Sequence, residues 1–236
     1  MARTGAVQRK TKETDLRVSV DLEGQGDAKV DTGIPFFDHM LETVAKHAAL
    51  TLEVSCKGDL HIDQHHTVED TGIALGKALD QALGDRKGIA RAGCFYFPLD
   101  EALARSVVDL SGRAFLRWNV QLDQGPRSAM DLSVLEGFFK AVADGVRANV
   151  HVDLLTGRDF HHGCEAVFKS FARALRQVDL RRSTKLRIRR DLCLLGNNDE
   201  RHFWRERRGG VSLCDGSGRS DEAASSDSSA TSKTRR

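Results

Sequence analysis

The sequence repeats itself. Val20-Asp21-Leu22-Glu23-Gly24 returns 88 residues later as Val108-Asp109-Leu110-Ser111-Gly112. His65-His66-Thr67-Val68-Glu69 returns 96 residues later as His161-His162-Gly163-Cys164-Glu165, so the second unit has gained about eight residues. An internal repeat of this length restricts the chain to two similar units that bury their apolar faces on one another.

The elements between these landmarks follow from hydrophobic period. Leu16, Val18, Val20 and Leu22 alternate as a strand that ends at Glu23-Gly24. Ala104 to Leu110 is its counterpart. Pro35 stands where a first helical residue is favoured, and Phe37, Met40, Leu41, Val44 and Ala48 follow at helical spacing. Leu132, Leu135, Phe139, Val142 and Val146 repeat that stripe. Each helix leads into an alternating strand, Leu50-Leu52-Val54 or Val150-Val152-Leu154, then a turn at Lys57-Gly58 or Thr156-Gly157, then a helix opening on the paired histidines. The expected fold is α+β: two tandem strand-helix-strand-helix units, residues 9–93 and 94–178, with helices packed against sheets.

The remainder, residues 179–236, reads as a divergent basic and Ser-rich tail without a core of its own. Residues 181–236 carry 14 Lys/Arg against 8 Asp/Glu, whereas residues 1–180 carry 22 against 26. The basic character therefore belongs to the tail, and nucleic acid is not the expected partner of the body. No apolar run approaches the ~18 residues of a membrane span. The N-terminus lacks the apolar stretch of a signal peptide, so the cytoplasm is the expected location. The five cysteines have no zinc-ligand or redox spacing and are expected as reduced thiols.

Four of the nine histidines fall in the two repeated motifs. On a helix, Glu69 shares a face with His65 and His66, and Glu165 with His161 and His162. Adjacent histidines diverge by ~100°, so each motif suits two ions, one histidine to each. A pair of histidines at a helix start is ordinarily solvated; the same device at equivalent places in two repeats points to metal. Imidazole with carboxylate suits first-row divalent ions and leans toward manganese. His39, off the apolar stripe of its helix, and His151, opposite Val150 and Val152 on its strand, are placed to complete the shells. The hydrolytic zinc motif His-Glu-x-x-His is absent.

Several strings resemble imidazoleglycerol-phosphate dehydratases: Lys10 to Thr14, Gly33-Ile34-Pro35-Phe36-Phe37-Asp38-His39-Met40-Leu41, Gly58 to Asp70, Pro98 to Leu103, Asp109 to Arg113, the second histidine motif, and Phe168-Lys169 to Arg176-Gln177. The resemblance implies halves of the ribosomal S5 domain 2-like kind and dehydration of imidazoleglycerol phosphate to imidazoleacetol phosphate in histidine biosynthesis. It also implies two Mn2+ per subunit and a 24-subunit shell with sites shared between subunits. By motif position, one ion would take His65, His161, Glu165 and His151, and the other His39, His66, Glu69 and His162. Glu13 would be the acid/base, and Asp100 would hold the diol. Arg91, Arg113 and Lys169 would bind phosphate, an anion that Arg meets with a bidentate fork. His47 and His61 receive no role.

The family closes on Pro-Ser-Thr-Lys-Gly-Val-Leu, whose Ser and Lys also contact phosphate. Here Ser183-Thr184-Lys185 runs into Leu186, after Arg181-Arg182. Ser183 and Lys185 are the candidates for that clamp. The alternative reading is a metal-assembled shell impaired in catalysis because this motif is degenerate.

Overall fold

A computed structural model describes residues 3–123 and 130–179. The first half comprises β1 (Thr4–Lys10), β2 (Thr14–Asp21), β3 (Ala28–Asp31), α1 (Pro35–Ala48), β4 (Thr51–Gly58) and α2 (His65–Leu83). The second comprises β5 (Ala92–Leu99), β6 (Ala102–Asp109), β7 (Phe115–Asn119), α3 (Leu132–Val146), β8 (Asn149–Thr156) and α4 (Phe160–Asp179). Each half thus has two strands more than the alternation alone predicts. The additions β1, β3, β5 and β7 all lie at sheet edges, where a strand pairs on one side only and its apolar pattern is weak.

The sheets have the same topology, β1-β2-β4-β3 and β5-β6-β8-β7. In each, the first three strands in that order are antiparallel neighbours and the last pairs in parallel. Helices α1 and α2 cover one face of the first sheet, and α3 and α4 cover one face of the second. The helix pairs then meet, α2 on α3 and α1 on α4, so both sheets enclose one helical layer.

Packing in that layer is set by residue size. A Cβ on Gly72 would stand 2.8 Å from the Phe138 carbonyl oxygen, and one on Gly76 would stand 2.6 Å from that of Val142. The two glycines, one turn apart, let α3 lie directly on α2. Beside them Phe37, Phe138, Phe139 and Phe168 are fully buried, with successive ring centroids 5.2, 5.4 and 5.0 Å apart. Each such ring contributes roughly 1.5–3 kcal/mol by leaving water. They come from α1, α3 and α4, so the core is common to both halves.

Cys56 and Cys164 are free thiols. Burial pushes Cys56 up to about 11 and Cys164 up to about 12, which leaves both protonated and unreactive at neutral pH. No helix among the described residues is long and apolar enough to cross a membrane.

An ion cluster fastens the end of α2 to the second half. Asp80 accepts from Arg86 at 2.5 Å and from Arg147 at 3.0 Å, while Arg86 also donates to the Val146 and Leu110 carbonyls at 2.5 and 3.1 Å. Burial opposes ionisation of Asp80, yet the two guanidinium groups hold its carboxyl below the usual range. A carboxylate with a depressed folded pKa stabilises fully above its unfolded value, ~3.9, and loses that contribution as pH falls through the folded value. Asp80→Asn is expected to cost about 1–3 kcal/mol at pH 7. Urea unfolding along a pH series should show the gap to wild type closing below about pH 4; a gap constant with pH would remove the charge from the explanation.

Candidate metal centre

Both paired-histidine motifs open a helix. At α4, the Asp159 carboxylate accepts the His162 backbone N–H at 2.9 Å, serving as a cap. At α2, Asp63 accepts the His65 N–H at 2.8 Å. With the first turn fixed, residues four apart meet: His65 Nε2 lies 3.2 Å from Glu69 Oε2, and His161 Nε2 lies 3.1 Å from Glu165 Oε2.

A third donor joins only one of these pairs among the described residues. His39 on α1 brings Nε2 to 3.9 Å from Glu165 Oε1, and its ring lies 5.8 Å from that of His161. One ligand atom from each of His39, His161 and Glu165 falls within 4.8 Å of the others. Two imidazoles and a carboxylate at this spacing fit a first-row divalent ion. Phe36 meets the His161 ring edge-on at 5.4 Å and fixes its orientation. Partial burial works against ionisation of Glu165, but Lys169, at 2.8 Å, together with His39 and His161 outweighs it and lowers the carboxyl pKa. This grouping cuts across the division expected from motif position, which set His39 apart from His161 and Glu165.

The second histidine of each pair turns to another carboxylate. His66 Nδ1 lies 3.0 Å from Asp59, and His162 Nδ1 lies 2.9 Å from Glu101. Those hydrogen bonds raise the pKa of both rings. They also occupy Nδ1 and leave Nε2 as the remaining ring nitrogen, the arrangement by which carboxylates orient ligating histidines. Asp100, expected to act on substrate, stands 3.6 Å from His162 Nε2. Glu101 makes the shorter contact; its carboxyl is lowered to about 2, first by the Asp159 N–H and then by His162. The 88-residue repeat could have found it, since that offset carries Glu13 onto Glu101.

His161, Glu165, Lys169 and Arg173 recur every fourth residue along α4. The stripe therefore runs from candidate metal ligands to cations. Lys169 Nζ sits 5.2 Å above Phe97, and the Arg173 guanidinium 5.0 Å above Phe95. His47 meets Phe97 edge-on at 5.3 Å. Burial, followed by Lys169 and Arg173, depresses its pKa. His47 and Arg173 had no role in the sequence reading, and the four-residue spacing after Lys169 was the available sign of Arg173.

Other candidates stand apart. His151 faces outward on β8 with its ring 5.7 Å from Phe115, whereas Val150 and Val152 face the core. The second sheet therefore separates His151 from the helical layer of its own chain. Arg91 pairs with Asp109 at 2.7 Å, and its backbone N–H reaches the Val178 carbonyl. Val178 is nine residues beyond Lys169, about 13 Å along the helix. Arg113 is exposed on the turn before β7. Ser183 and Lys185 lie outside the described residues. A depression of about 580 Å³ on the outer face of the first sheet, lined by residues including Arg17, Lys29 and Glu53, contains none of the histidines.

Glu13 occupies the exposed tip of the β1–β2 hairpin. Thr11 Oγ1 accepts the N–H groups of Glu13 and Thr14 at 3.1 and 3.0 Å and closes the turn. Beneath it, Thr14 donates to Asp70 at 2.5 Å, and Arg9 pairs with the same carboxylate. Asp70 follows Glu69 on α2, so this buried contact ties the hairpin to the helix that carries the candidate ligands His65 and Glu69. The Glu13 charge contributes to the raised pKa of His66.

The profile of the imidazoleglycerol-phosphate dehydratase family matches residues 32–175. The protein of that name from Salinibacter ruber is 50% identical over 181 residues, which cover 77% of this chain and 90% of the relative. The one from Neisseria meningitidis is 48% identical over 176 residues, covering 75% of this chain, and the match spans only 58% of the relative's length. The crystal structure of the Staphylococcus aureus dehydratase superposes with a TM-score of 0.68 at 36% identity, over 75% of this chain and 99% of the other.

Removing the Asp70 anchor should free the hairpin before it unfolds the chain. Asp70→Ala is expected to raise amide exchange at Glu13 and Thr14 by about tenfold or more, the equivalent of one charged hydrogen bond. Exchange measured by mass spectrometry should leave α3 unaffected; unchanged rates at the tip would mean that the loop holds itself.

Proposed function

Because the chain belongs to the imidazoleglycerol-phosphate dehydratase family, we propose that it removes water from imidazoleglycerol phosphate to give imidazoleacetol phosphate, using Mn2+, in the cytoplasm. The observation that carries this reading is the α4 stripe, in which His161 and Glu165 pass into Lys169 and Arg173 along one helix face. A substrate with an imidazole at one end and a phosphate at the other has a matching polarity.

In this reading His39, His161 and Glu165 hold one ion, and His65 with Glu69 belongs to the other. His66 and His162, oriented by Asp59 and Glu101, add imidazole donors. An ion held by these residues would supply Lewis acidity to the substrate ring and so would favour the deprotonated imidazole, which a carbon chain without a carbonyl needs before it can lose hydroxide. Glu13, exposed on its anchored hairpin, then takes the proton from the next carbon, and the enol product becomes the ketone. The ring nitrogen regains the proton it gave up, so the atoms lost overall are one hydroxide and the carbon-bound proton, together water.

Lys169 and Arg173 hold the phosphate, with His47 beside them. Arg91 and Arg113, away from Lys169 in one chain, reach a phosphate from a neighbouring copy. That requirement supports assembly into a shell, the 24-subunit form that the family resemblance implies. His151, beyond its own chain's sheet, is restricted in the same way to a site shared between copies.

Purified protein reconstituted with Mn2+ and given authentic substrate should form imidazoleacetol phosphate and stop when the metal is chelated. Glu13→Gln should lower kcat by about 10²–10⁴ with metal content unchanged. Full turnover by that variant would remove Glu13 from the reaction. Assembled, metal-loaded protein without turnover would replace the enzyme reading with a non-catalytic shell.

A further inference from the structure

The two halves correspond element by element through equivalent backbone contacts. The α1 end, where Ala49 N–H bonds Lys46 O and Leu50 N–H bonds Ala45 O, recurs at Arg147 to Asp144 and Ala148 to Ala143, an offset of 98. Strand register gives the same number: Leu52 pairs with Val20, and Val150 pairs with Val108. For the following helices the offset is 96, since Gln81 accepts the Ala6 N–H just as Gln177 accepts the Cys94 N–H. Under these offsets the buried Met40, Leu41, Val44 and Ala45 become Phe138, Phe139, Val142 and Ala143, which are also buried.

The same offset carries His39 onto Gly137. His161 and Glu165, which His39 joins, correspond to His65 and Glu69. Helix α3 packs on α2 as α1 packs on α4. The second half therefore places a glycine at the position from which an imidazole would join His65 and Glu69.

Nothing in the fold requires that glycine. A Cβ at Gly137 would meet no atom within 4 Å, whereas Cβ atoms at Gly72, Gly76 and Gly145 would come within 3 Å of a neighbouring helix. Gly137 lies inside α3, where glycine costs roughly 0.5–1 kcal/mol relative to alanine. Its site is open and large enough for a side chain.

We infer that the chain holds its two ions unequally, one site having the full donor set that includes His39 and the other lacking an imidazole at Gly137. The inference rests on the manganese reading proposed above. It concerns the fit of this chain to the second ion: leaving aside the further imidazoles His66, His162 and His151, the helical layer of one chain provides two donors at His65 and Glu69 where it provides three at His39, His161 and Glu165.

The test is a Mn2+ titration of the full-length protein after chelation, with free ion followed by electron paramagnetic resonance and bound ion counted by elemental analysis. Wild type should show one tight and one weak class per chain. Their separation should be at least about 10–100-fold, the loss seen when even an outer partner of a ligand is removed. Gly137→His should draw the weak class toward the tight one. Gly137→Ala, which restores helix propensity without a donor, should not. His39→Gly, the mirror change, should bring the tight class down to the weak one. Two equal classes in wild type, or a gap closed equally by Gly137→Ala, would overturn the inference. Absence of any bound Mn2+ would overturn the metal reading itself and this inference with it.

Discussion

The structure depends on a single layer of four helices that must satisfy two sheets at once. Each sheet has one apolar face, and two helices cover it. Those helices retain apolar surface on their far side, which only the other half's helices can cover. The glycines of α2 and the phenylalanines of α1, α3 and α4 make this contact close enough to exclude water. Neither half has a closed core alone, and the chain folds around the join.

That join also determines where chemistry is possible. The paired histidines sit at the N-terminal ends of α2 and α4, where an Asp carboxylate caps or braces the first turn. Because α1 packs on α4, His39 from one half reaches His161 and Glu165 from the other. The candidate centre is thus a product of the helix pairing. Asp70 and Glu101 extend the same logic to the hairpin turns: each links a β-turn to the start or first turns of a helix that opens on paired histidines.

The halves are alike in backbone and unlike in side chains. Asp59 and Glu101 orient equivalent histidines from different elements, and Lys169 corresponds to Ile73 on α2. Lys77 on α2 corresponds to Arg173, so among the described residues the two successive cations of the stripe occur on α4 alone, and so does the three-residue donor group. A symmetric scaffold thus carries an asymmetric site, with Gly137 opposite His39 as its sharpest instance.

The sequence by itself determined the repeat, the four helices and the central strands, because apolar period records which face an element buries. It also identified His65, His161, Glu69 and Glu165 as candidates, because two residue types at helical spacing occur twice, and His39, because it lies off the apolar stripe of its helix. It left β1, β3, β5 and β7 unseen, since edge strands need bury little. Only the tertiary structure decided which candidates meet. His39 and Glu165 are 126 residues apart in sequence, and helix packing brings them to 3.9 Å. His151 carries the same side chain yet lies beyond a sheet from the others. Local spacing specifies a helix face; which faces converge depends on the packing of elements far apart in the chain.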